Sequence, residues 1–133
     1  MKILARLTFI VLLVTLFNFS CKKSSSPSVA QRVQAKWTLV SLSANSHYSG
    51  SDHINTIPGT SADYVDFRSD SKVYSQVSGS RDTSNYSMSG DTAIIIALDK
   101  YKIITLTDAA LQLYIKAVTS PSVYDEETIS LKK

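Results

Sequence analysis

"DTAIIIALDKYKIITLTDAALQLYIKAV", residues 91–118, decides the fold. Ile is its commonest residue, joined by Leu, Ala, Thr and Tyr, and it breaks only at 99–100 and 108–109. β-branched and aromatic runs of this length, separated by two-residue breaks, predict three strands at 92–98, 101–107 and 110–118. Working outward, the same punctuation marks strands at 83–89, 72–78, 63–69 and 37–43, and a last one at 127–132. All four glycines and all three prolines fall outside these spans, as ladder-breaking residues should. Gly90-Asp91 reads as a two-residue hairpin turn. Ahead of the strands, 28–36 reads as a short helix with Ser28 as N-cap.

Eight strands in meander order predict an all-β protein. An open sheet would leave two unpaired edges, and closing it into an antiparallel up-and-down barrel removes them. A β-sandwich is the competitor, but only one connection, 44–62, is long. The predicted connections alternate between the two ends, so one end is tightly turned and the other carries the loop mass. The N-terminal helix plugs the tight end, and a ligand mouth is expected under 44–62 as a lid. Alternation assigns an inward set that includes Trp37, Leu39, Phe67, Tyr86, Met88, Ile94, Ile96, Ile104 and Leu113. A cavity reading adds Tyr48, Ile54, Ile57 and Tyr124 at the mouth, with Ile54 and Ile57 dipping inward. The alternative is that the inward side chains simply fill the core.

The N-terminus carries a separate message. Lys2 and Arg6 precede "LTFIVLLVTLF", residues 7–17, eleven residues without a charge. That is too short to span a bilayer, which needs roughly 20 residues, and matches a secretory signal core. Cys21, the sole cysteine, follows after Asn18, Phe19 and Ser20. A lone thiol in an exported chain has no internal partner, so it is free, intermolecular or modified. "FSC" before "KKSSS" resembles the lipobox of bacterial lipoproteins, Bacteroidota-type sequences among them. That resemblance implies cleavage before Cys21, acylation of Cys21 by palmitate-like chains, and a membrane anchor. Residues 1–20 would then be signal peptide, 21–30 lipidated cysteine and tether, and 31–133 the folded domain. With Lys22 rather than Asp after the cysteine, the resemblance implies the outer membrane, and the lack of an acidic run behind it implies the periplasmic face.

"AKWTL", 35–39, after a short helix and before a strand meander, resembles the start of lipocalin-like domains. Lipocalins carry glycine two residues before this tryptophan, where this chain has Ala35. The resemblance implies a barrel for small apolar ligands. It also implies a basic residue, Lys132 or Lys133, packed over Trp37 in a cation–π contact, with Lys132 taken as that residue.

Charge excludes one class of partner. The formal +3 belongs to the precursor. Losing Lys2 and Arg6 takes fourteen basic residues to twelve against eleven acidic ones, and setting aside Lys22 and Lys23 leaves ten against eleven. No basic face for nucleic acid is expected. Nor is an enzyme, a cofactor or a metal site. His47, His53 and Asp52 lack rigid ligand spacing. Asp63 and Asp66 alternate across a strand, and no serine has the glycines of a nucleophile elbow. Two functions remain: an envelope module anchored to the membrane that binds a small apolar ligand, or an interaction module with a filled core that uses exposed tyrosines such as Tyr48, Tyr64, Tyr114 and Tyr124. The sequence does not fix the oligomeric state.

Overall fold

The structure, a computed structural model, describes residues 26–133. The apolar run, Cys21 and the first tether residues lie outside the described residues. A one-turn helix α1 (Val29–Val33) comes first among the described residues. Ser28 caps it in a capping box with Gln31, each side chain bonding the other's backbone N–H. Nine strands follow: β1 (Lys36–Tyr48), β2 (Ser51–Pro58), β3 (Tyr64–Phe67), β4 (Lys72–Val77), β5 (Ser80–Met88), β6 (Ala93–Ile96), β7 (Asp99–Leu106), β8 (Ala110–Ser120) and β9 (Val123–Lys132). All neighbours are antiparallel, and β1 pairs with β9 as well as β3, so eight strands close a barrel and β2 is an extra strand.

The segment 44–62 is not a loop. The second half of β1 runs five residues past its expected end and pairs with β2 from Ser41↔Pro58 to Tyr48↔Ser51. Ser49 and Gly50 make the turn with φ of 53° and 76°, and positive φ at both positions is the type I′ geometry that suits hairpin twist. β2 and β3 lie on the same edge of β1, interrupted by a corner at 59–63. Gly59 sits so close to β1 that an added Cβ would lie 2.0 Å from the Leu39 carbonyl oxygen. The buried Asp63 carboxylate pins the corner. It accepts from the Thr60 N–H and hydroxyl at 2.9 and 2.8 Å, and from the Ser78 N–H at 2.8 Å. Those bonds, the Thr60 hydroxyl first, hold its pKa below the usual carboxylate range.

The two ends are therefore the reverse of the loop-length expectation. The expected loop-rich end has only two-residue turns, at 49–50, 78–79, 97–98 and 121–122. The connections at the helix end, 68–71, 89–92 and 107–109, are longer. Gly90-Asp91 accordingly lies within a four-residue connection rather than a two-residue turn. The helix still covers its predicted end. There Trp37, Phe67, Ile94, Leu111, Leu113 and Val33 are fully buried, a packed floor built from the first residues of β1 and β8 and the last of β3. The Trp37 indole N–H donates to the Val33 carbonyl at 2.9 Å, tying helix to barrel. Arg32 reinforces the tie by donating to the Leu106 carbonyl at 2.8 Å. The cation over the Trp37 ring is Lys133, with Nζ 4.6 Å from the centroid. Lys132 pairs with Thr38 and is exposed, so that expectation was displaced by one residue.

Candidate functional site

Above the floor, side chains stop filling the barrel. A cavity of about 160 Å³, partly open to solvent, lies in the upper half. Its apolar wall comes from Leu39 and Leu42 on β1, Val65 on β3, and Val73 and Val77 on β4, completed by Ile96 and Ile129. Ser75 and Ser84 add hydroxyls, and Asp82, Tyr101 and Glu127 add the remaining polar groups. The interior is thus packed below and open above, where the sequence offered a choice between wholly filled and open.

A wider vestibule of about 360 Å³ shares Tyr101 and Glu127 with the cavity. Asp99, Asp125, Ala44 and Ser46 also line it. The Tyr101 hydroxyl donates to Glu127 Oε1 at 2.9 Å. Burial first, and then the Glu127 charge, raise the Tyr101 pKa far above its ordinary value, so the hydroxyl remains a donor. The pair is aligned by strand register. Lys102↔Tyr114 and Ile115↔Glu127 place Tyr101, Ile115 and Glu127 in one row across β7, β8 and β9. Ala44 extends that row onto β1.

Of the residues expected to bind, Leu39 and Ile96 line the cavity. Phe67, Tyr86, Ile94 and Leu113 belong to the packed core, with Met88 against it. Phe67 and Tyr86 meet edge to face at 5.1 Å, and the Tyr86 hydroxyl donates to the Arg68 carbonyl. Ile104 points outward and is 49% exposed, because a bulge between Ile103 and Thr105 flips the alternation. Ile54 is 69% exposed and does not dip into the mouth, since β2 extends beyond the barrel wall. Ile57 is half-buried opposite Leu42. Tyr48 is exposed and stacks on His53, centroids 4.4 Å apart. Tyr101, Glu127 and Asp82 were not anticipated. Glu127 lies within the predicted last strand, 127–132, however, and alternation back from Leu131 and Ile129 puts it on the inner face.

Tyr124 is also away from the mouth, in a polar cluster on the outer face. It stacks on His47 at 4.7 Å and lies under Lys116, whose Nζ is 3.4 Å from its centroid. Glu126 accepts from the Tyr114 hydroxyl at 2.7 Å and from Lys116 at 3.0 Å. Those donors, Tyr114 first, depress the Glu126 pKa, and the same bond pushes Tyr114 up to about 12. His47 Nδ1 lies 2.7 Å from Asp52 and holds that carboxyl below its usual range. Among the described residues no group of three His, Cys, Asp or Glu is placed to hold a metal ion. No protein-family model matches the sequence, and no curated protein matches it.

Proposed function

We propose that the protein is a lipocalin-like lipoprotein of the cell envelope, anchored to the outer membrane through Cys21, that takes a small apolar group into the upper half of its barrel. The cavity of about 160 Å³ carries this reading. An apolar cavity of about 150 Å³ accommodates benzene, so the space suits a ring or short chain rather than a long acyl chain. The outer tyrosines support the alternative less well. Tyr114 and Tyr124 are engaged within the chain, and Tyr64 lies under Lys36 at 4.0 Å.

Benzene, titrated against the methyl NMR signals of Val73, Ile96 and Ile129, tests the cavity. Shifts at these methyls are expected in the parent, and their loss in Ser84→Phe, which fills the space. An unresponsive parent refutes ligand binding in the barrel. The anchor is tested separately. Cys21→Ala should release the protein from the membrane fraction or leave an uncleaved precursor, and a variant that fractionates and migrates like the parent refutes lipidation.

A further inference from the structure

The cavity's charge is of one sign. Asp82 and Glu127 are set in its wall, and Asp99, Asp125 and Glu126 join Glu127 around the vestibule. Neither lining contains a lysine, arginine or histidine. Of these five, Glu126 is paired with Lys116 at 3.0 Å, and the other four enter none of the ion pairs found among the described residues, which otherwise join Arg32–Asp108, His47–Asp52 and Arg68–Asp66. Glu127 is half-buried beside Ile129, and its side-chain partner is the Tyr101 hydroxyl. A carboxylate next to apolar surface without a counter-charge favours an incoming cation and repels an anion.

We infer that the cavity selects a small organic cation, with its apolar part among Val73, Ile96 and Ile129 and its ammonium group against Glu127. This rests on the barrel being a ligand site. It excludes carboxylate-headed ligands, which would bring a second negative charge to Glu127 and find no donor cation.

Benzylammonium, benzyl alcohol and benzoate share one ring and differ in charge. Titrated at neutral pH and low salt into the purified protein, benzylammonium should bind at least about tenfold more tightly than benzyl alcohol, because both can donate to Glu127 but only the ammonium brings an opposite charge to it. Benzoate should leave the cavity methyls unmoved. Glu127→Gln keeps an acceptor for Tyr101 and should cut the preference to within about twofold, as should raised salt in the parent. Equal binding of benzoate and benzylammonium, or a preference that survives both Glu127→Gln and Asp82→Asn, overturns the inference. Benzyl alcohol binding as well as the amine overturns the charge selection and leaves the cavity reading standing. Silence from all three overturns both.

Discussion

Removing the Trp37 ring should take away the barrel's floor. Trp37 is fully buried, its N–H bonds the Val33 carbonyl, and Lys133 covers its ring. Truncating a buried aromatic to alanine costs roughly 3–5 kcal/mol. The lost indole bond contributes about 1 kcal/mol within that range, and leaves a carbonyl beneath the helix without its partner. A domain of this size has about 5–15 kcal/mol to lose. Trp37→Ala should therefore remove a fifth or more of the stability and lower the melting temperature by roughly 12–40 °C. The parent can be followed by its own fluorescence, since Trp37 is the only tryptophan, but the variant requires far-UV circular dichroism in urea. Lys133→Ala separates the cation from the ring, and should cost only about 0.5–1 kcal/mol. A Trp37→Ala loss under about 1 kcal/mol with an unchanged urea slope would refute the packed floor and the helix–barrel tie.

Gly59→Ala should destabilise by about 2 kcal/mol or more in urea, because its Cβ would meet the Leu39 carbonyl carbon and oxygen at 2.5 and 2.0 Å, and an unchanged midpoint would mean the corner is not closed. Ala97 holds φ at 55° in the β6–β7 turn, a conformation that costs an L-residue about 1–2 kcal/mol, so Ala97→Gly should gain up to about 1 kcal/mol after the added chain entropy, and a loss would contradict that backbone. Asp63 has a folded pKa below its ordinary 3.8, so its contribution is present above that value and disappears as the pH falls through the lowered one. Asp63→Asn should therefore be less stable than the parent at neutral pH, yet lose less than the parent does between about pH 5 and about pH 2. Parallel acid-titration curves would refute the carboxylate's role.

The closed barrel was legible because one inner face is buried, and burial imposes a period of two on the residues that make it. Trp37, Phe67, Ile94, Leu111 and Leu113 follow that pattern and form the floor. β2 was illegible for the complementary reason. Ser51–Pro58 lies beyond the barrel with nearly every residue exposed, so no packing constraint wrote an apolar period into it. Its one strong local signal was Ser49-Gly50, which stood among serines that looked like loop.

The polar wall depended on something alternation cannot supply. Counting by twos back from Leu106 puts Ile104 and Lys102 inside and Tyr101 outside. The bulge between Ile103 and Thr105 reverses this, so that Ile103 and Tyr101 face inward while Ile104 faces solvent. That one irregularity sets the Tyr101 hydroxyl at Glu127, across an intervening strand and 26 residues along the chain. A regular β7 would turn Lys102 into the barrel, opposite in charge to Glu127. The bulge thus keeps basic side chains out of the wall, and the acidic character of the cavity follows from backbone register as much as from composition.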